Sequence, residues 1–238
     1  MQTIRARLGG FLIALGTAIA VIALVLPLFL NPIWVSFEQG RSQATAWTGF
    51  AEADLRSVTD AILSDLVVGP PDFDVELGGQ PVLNERERGH MRDVRSVFGG
   101  FFVVAVILVG LAVAVVIARR GRRRADTWRS VRTGALGLII GLVLVGGFAV
   151  IAFDMLFELF HQVFFPGGTY TFDPATERLV QLFPFQFWQE TAMAVGVVAI
   201  TVAAIVAIVA HRRLSRALAA QDATSVAGPA SVTVAPAP

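Results

Sequence analysis

The fold class this sequence predicts is an all-α membrane protein. Four transmembrane helices are expected, with both termini cytoplasmic and two extracytoplasmic loops whose short helices cap the bundle. Two patterns carry that expectation. The first is hydropathy. With 55% hydrophobic residues, the chain holds four nearly uncharged runs of about twenty residues, enough at roughly 1.5 Å per residue to cross a hydrocarbon core of about 30 Å. They lie at 8–30, 99–118, 134–153 and 191–210. Backbone in lipid must satisfy its own hydrogen bonds, and long Leu/Val/Ile/Ala/Gly runs do so as helices rather than as the alternating strands of a barrel.

The second pattern is charge. All 19 basic residues are arginine. Seven sit in the 119–132 connection, two before the first run and three after the last, whereas residues 31–97 carry six against eleven Asp/Glu, and residues 154–190 one against five. The positive-inside rule makes the arginine-rich connection and both ends cytoplasmic, so the loops 31–97 and 154–190 face outward. Residues 1–218 thus form the transmembrane domain with its loops, and 219–238, rich in Ala, Pro, Ser and Val, read as a disordered cytoplasmic tail. The formal charge of +1 implies no nucleic-acid partner, and the RRGRRR run at 119–124 is a topology anchor. There is no cysteine, which excludes a disulfide, a thiolate metal site and a thioester intermediate. The first apolar run continues ten residues beyond Ala18-Ile19-Ala20, too far for a signal h-region, and reads as an uncleaved helix.

In chain order, Asn31-Pro32 is a turn signal, followed by Trp34 at an interfacial position. From 44 to 68 apolar residues recur at Trp47, Ala51, Leu55, Val58, Ile62 and Leu66, one face of an amphipathic helix. Its other face is acidic, so it is expected to pack on the rest of the outer layer rather than on anionic lipid. Gly69-Pro70-Pro71 ends it, and residues 72–83 form a turn-rich or short hairpin connection around Gly78-Gly79. Asn84 followed by Glu87 is a capping box that starts a helix running to about Ala118. The third apolar run continues as helix through His161, with Asp154, Glu158 and His161 in one stripe. Carboxylates at the edge of a membrane helix are expected to face protein or a watery cleft. Pro166-Gly167-Gly168 is a turn, and Asp173-Pro174 starts a short helix that Leu182-Phe183-Pro184 ends.

Of three histidines, His211 sits on the cytoplasmic flank, while His90 and His161 lie at the outer ends of the second and third spans. On its helix His90 neighbours Arg86, Asp93 and Val94, beside a stripe of Arg88, Arg92 and Arg95. Two imidazoles with Asp93, Asp154, Glu158 and Asp173 offer metal donors, but the tight His-x-x-x-His spacing is absent. No metal and no cofactor is expected. The spans lack the internal charge, inverted repeats and broken helices of a transporter. Two classes remain on the residues alone: an enzyme using the paired histidines, or a non-catalytic membrane protein whose outer loops bind a protein or lipid.

The segments HMRDV (90–94), HQVFF (161–165), DP (173–174) and LFPFQFW (182–188), in this order and topology, resemble the bacterial lipoprotein intramolecular transacylase (Lit) family of four-span integral membrane proteins. Tyr170 stands where the family pattern has tryptophan, and Phe185 where an acidic residue is common. The resemblance implies an enzyme of the bacterial plasma membrane, with its site on the extracytoplasmic side. It implies movement of the sn-2 acyl chain of a diacylated lipoprotein onto the α-amine of its N-terminal cysteine, giving the lyso form. It also implies that His90 and His161 are the catalytic pair, with the substrate lipoprotein and membrane lipid as partners.

The chemistry fits those residue types. An α-ammonium with pKa of about 7.7–8.0 must lose a proton before it attacks an ester, which suits a histidine base of pKa near 6.5. His90 is expected to take that proton and His161 to handle the leaving oxygen. Arg95 or Arg92 is the oxyanion candidate, with Asp93, Asp154, Glu158, Asp173 and Tyr170 as orienting groups. Amine and ester belong to one molecule, so no protein nucleophile is needed.

Overall fold

The computed structural model describes residues 2–119, 123–165 and 167–226. In chain order the elements are α1 (Gln2–Val25, followed by a 3-10 turn at Leu26–Leu28), α2 (Pro32–Arg41), α3 (Ala44–Thr48), α4 (Glu52–Val67), the hairpin β1 (Glu76–Leu77) and β2 (Gln80–Pro81), α5 (Glu85–Ala118), α6 (Arg124–Phe164), α7 (Arg178–Leu182) and α8 (Phe185–Val226). Four of these, α1 with its 3-10 turn, α5, α6 and α8, are long and apolar enough to cross a membrane.

The bundle closes through small residues. Lipid tails are as apolar as leucine, so helices in a bilayer gain little by burying large side chains and associate where their backbones can approach closely. A Cβ built on Gly134 of α6 would stand 2.1 Å from the Ala14 carbonyl oxygen of α1, and one built on Gly16 would stand 2.7 Å from the Ala112 Cβ of α5. Farther along, Val21, Val25 and Phe29 bury against Ala199 and Ala203 of α8. The most extensive helix pairing is α6 with α8.

The segments 31–83 and 167–184 form a cap with its own apolar core: Val35, Leu55, Val58, Ile62, Phe73, Leu83, Met91, Leu182 and Phe187 share one buried cluster. The acidic-faced helix therefore packs on protein. Its extent differs from the sequence pattern, because Gly49 adopts a left-handed conformation (φ 70°) and ends α3, and Ala51 is extended before α4. Leu55, Val58 and Ile62 are buried as the periodicity requires, but Trp47 stands 51% exposed on the separate α3. The Asn31-Pro32 signal proves to be a helix start: Asn31 Oδ1 accepts the amide hydrogens of Ile33 and Trp34, and Pro32 opens α2. Gly78 and Gly79 supply the positive φ values of the two-residue hairpin loop.

Hydrogen bonds seat the cap on the bundle. Trp34 Nε1 donates to Thr191 Oγ1 at 3.2 Å, and Arg41 pairs with Glu190 at 2.5 Å. Buried Glu38, beside Glu190, is pushed up to about 7 by desolvation and by that neighbouring carboxylate.

Three further segments differ from the sequence reading. The α6 pattern does run past the span, but the backbone breaks from helical geometry at Ala152 (φ −146°, ψ 42°). Asp173-Pro174 forms a turn ahead of α7 rather than its first turn, with the Glu177 amide bonded to the Asp173 carbonyl at 2.8 Å. Helix α8 reaches Val226, eight residues into the segment expected to be disordered, while 227–238, Pro166 and residues 120–122 lie outside the described residues.

The close approach at Gly134 predicts that Gly134→Val forces α1 and α6 apart. Overpacking of this kind costs about 1–3 kcal/mol. A lowered melting temperature in detergent is expected, with no loss for Gly137→Ala, where the added methyl meets nothing within 4 Å.

Candidate active site

The site grows from the first turn of α5. Asn84 and Glu87 complete the capping box: the Glu87 amide donates to Asn84 Oδ1 at 3.0 Å, and the Asn84 amide donates to Glu87 Oε2 at 2.7 Å. The second carboxylate oxygen of Glu87 accepts the Leu179 amide at 2.6 Å, so one buried side chain caps α5 and docks the start of α7. Arg86 works beside it. Its guanidinium donates to the Thr171 carbonyl at 2.8 Å and to both Glu177 oxygens at 2.5 Å, while lying 4.9 Å over the Phe172 ring. Burial raises the Glu177 carboxyl, but Arg86, the Asp173 amide and Asn84 outweigh it and hold the group below its ordinary value.

This joint presents His90 one turn along α5. Its ring is packed by Phe165 (4.8 Å) and Phe172 (5.4 Å), and it faces His161 with centroids 6.0 Å apart and planes 21° from parallel. His90 is 6% exposed, and its Nδ1 has no hydrogen-bond partner. It lies in the charged first part of α5, ahead of the apolar run that begins at 99. Burial, then the neighbouring His161, push its pKa down to about 4, with Asp93 opposing in part.

His161 sits beyond the Ala152 break, near the end of α6. Its Nδ1 lies 2.7 Å from the Phe157 carbonyl oxygen. A carbonyl only accepts, so Nδ1 carries the hydrogen of the neutral ring and Nε2 keeps the lone pair. The ring is covered by Phe157 at 4.2 Å and Tyr170 at 5.0 Å, and the Tyr170 hydroxyl donates to Glu158 at 2.8 Å. That bond holds the Tyr170 hydroxyl above its usual pKa and contributes, after Gln162, to holding Glu158 below its own.

The arrangement thus brings His90, His161 and Tyr170 together, with Asp93 one turn along α5 from His90 and Glu158 behind Tyr170. The remaining candidates go elsewhere. Arg92 pairs with Glu85 at 2.6 Å, and Arg95 donates to the Asp65 and Gly69 carbonyls, tying down the end of α4. Of the Asp154, Glu158 and His161 stripe only His161 is buried; both carboxylates are exposed. Asp173 is spent on its own turn, accepting from Ala175 at 2.9 Å. His211 is exposed at the far end of α8.

The sequence reading missed Arg86, Glu177, Phe165 and Phe172 as builders of the site. The Arg86–Glu177 pair spans 91 residues, and no local periodicity announces it.

The four long apolar helices, with a buried pair of imidazoles at the seam between bundle and cap, define a multi-pass helical membrane protein. Comparison with known proteins supplies the particular family. The family model for lipoprotein intramolecular transacylase Lit matches residues 10–188, and the chain belongs to that family. Its activity is therefore acyl transfer within a lipoprotein. No curated protein matches the chain. Three solved structures share the fold, all of the membrane-integral lipoprotein intramolecular transacylase Lit from Bacillus cereus. One aligns with a TM-score of 0.75 at 16% identity, over 90% of this chain and 98% of that one. The other two carry a histidine-to-alanine and a histidine-to-arginine substitution. Each aligns with a TM-score of 0.74 at 17% identity over 90% of this chain, and over 96% and 94% of theirs.

The depressed pKa predicts that His90 stays neutral as pH falls from 6.5 toward about 4. Within that window the unfolded chain binds more protons than the folded one, so stability falls as pH falls. Histidine NMR titration, assigned with single substitutions, checks this. A His90 midpoint near 6.5 contradicts the buried geometry.

Proposed function

We propose that His90 and His161 carry the transfer of the sn-2 acyl chain of a diacylglyceryl-modified lipoprotein onto the α-amine of its N-terminal cysteine. The observation that carries this reading is the facing of two buried imidazoles with ring centroids 6.0 Å apart, close enough to act on one reacting centre. The distribution of arginine supports a site on the extracytoplasmic side of a bacterial plasma membrane, with both termini cytoplasmic.

The tautomer of His161 favours a division of labour opposite to the one expected from sequence. His161 presents an unprotonated Nε2 and takes a proton from the α-amine as its nitrogen attacks the ester carbonyl and the C–N bond forms. His90, held neutral by burial, donates a ring N–H to the oxygen on which negative charge develops. That task falls to it because Arg92 and Arg95 are bound elsewhere. The tetrahedral intermediate collapses with cleavage of the C–O bond, and the imidazolium of His161 returns its proton to the glycerol alkoxide. Protons and charge balance within one turnover. The phenylalanine walls keep water from competing for the acyl group.

His90→Ala and His161→Ala are each expected to lower transfer by about 10²- to 10⁴-fold with normal insertion, and the double variant to lose little more. His211→Ala leaves transfer unchanged. Mass spectrometry of lipoprotein N-termini reads the outcome. Full N-acylation by His161→Ala contradicts the mechanism.

A further inference from the structure

An open groove of about 340 Å3 runs beside the histidine pair, lined by Asp93, Ser96 and Val97 of α5, Phe164 and Phe165 at the end of α6, and Gly167 and Thr169 beyond it. One wall is shared with the reaction centre: Phe165, 4% exposed, touches His90 at 4.8 Å and His161 at 5.5 Å. The groove therefore ends one ring away from the imidazoles. Its surface is apolar apart from two hydroxyls and a single carboxylate.

That carboxylate is conspicuous for its lack of a counter-ion. Arginine is plentiful on α5, yet each nearby side chain is engaged: Arg86 with Glu177, Arg88 with Asp74, Arg92 with Glu85 and Arg95 with two carbonyls. Among the described residues no ion pair reaches Asp93, although it is close enough to act electrostatically on His90. Asp93 is exposed at the mouth of this groove, one turn of helix from buried His90, so its carboxylate is open to a cation that arrives with the ligand.

We infer that Asp93 is the binding residue for the α-ammonium of the substrate's N-terminal cysteine, and that the groove admits that end of the molecule. The inference rests on the transacylase reading of the histidine pair and adds a specificity element to it. Asp93 selects a free, protonated amine over an amine that already bears an acyl group. It holds the ammonium beside the imidazoles; the ammonium's extra proton leaves to solvent, and the neutral amine then attacks, giving its second proton to His161 as the C–N bond forms. A doubly acylated product that has gained an amide carries no charge there and is expelled.

The test is a binding measurement that requires no turnover. Two diacylglyceryl-cysteinyl peptides are made unreactive by replacing the ester linkages with ethers, one with a free N-terminus and one N-acetylated. Each is titrated against the full chain in detergent micelles at about pH 6.5, where the amine is charged. The wild-type protein is expected to prefer the free amine by about tenfold or more, as a charge-assisted hydrogen bond gives. Asp93→Asn is expected to bring the two probes to within about twofold while leaving the N-acetylated probe unchanged, and Asp93→Glu to keep the preference. A preference that survives Asp93→Asn overturns the inference, as does equal loss of both probes. Wild-type protein that binds neither probe overturns the inference together with the transacylase site. His161→Ala that binds both like wild type, alongside Asp93→Asn that still prefers the amine, overturns the role of Asp93 alone.

Discussion

The pairing of Arg86 with Glu177 is the interaction on which the site depends. It joins the polar start of α5 to the segment that precedes α7, and both carboxylate oxygens are used at 2.5 Å. Glu177 is only 7% exposed, and a buried carboxylate left without its partner typically costs a protein about 3–5 kcal/mol. The pair also places Phe172 between guanidinium and imidazole, so that the same contact that anchors the loop shapes the wall of His90. Glu87 reinforces the joint from the other side, capping α5 and holding the amide of Leu179.

From that joint the chemistry follows in steps. The cap builds its own apolar core, which lets α5 carry four turns of charged sequence into a protein environment before it enters lipid. The break at Ala152 lets the end of α6 leave the line of the membrane helix and bring His161 to His90. Phenylalanine rings around both imidazoles lower the local dielectric, which keeps His90 neutral and strengthens any hydrogen bond it gives to a developing anion. His161 is set differently, because its own helix fixes its tautomer through the Phe157 carbonyl.

Much of this was legible in the sequence. Four spans followed from hydropathy, because the requirement that backbone be satisfied in lipid leaves few alternatives. The capping box at Asn84 and Glu87 and the hairpin at Gly78-Gly79 followed from local chemistry, and the structure contains both. The two histidines were singled out by their common depth and by resemblance to the family. What could not be read was long-range pairing. Arg92 and Arg95 share the helix with His90, and proximity in sequence made them oxyanion candidates, but their partners are Glu85 and the end of α4. Asp154, Glu158 and His161 all lie beyond the Ala152 break on one helical period, yet only His161 is buried, a difference that the period by itself does not announce. Gly49 ended a helix whose apolar repeat ran straight through it, since periodicity reports faces and is blind to a single left-handed residue.

The central claim is that one reacting centre lies between the two imidazoles. A structure of the protein bound to the unreactive ether-linked, free-amine analogue tests it most directly. The account predicts the amine nitrogen within hydrogen-bond reach of His161 Nε2, and the oxygen that replaces the sn-2 ester beside His90. An analogue seated with its glycerol away from the rings, or rings that part to open onto separate surfaces, contradicts it.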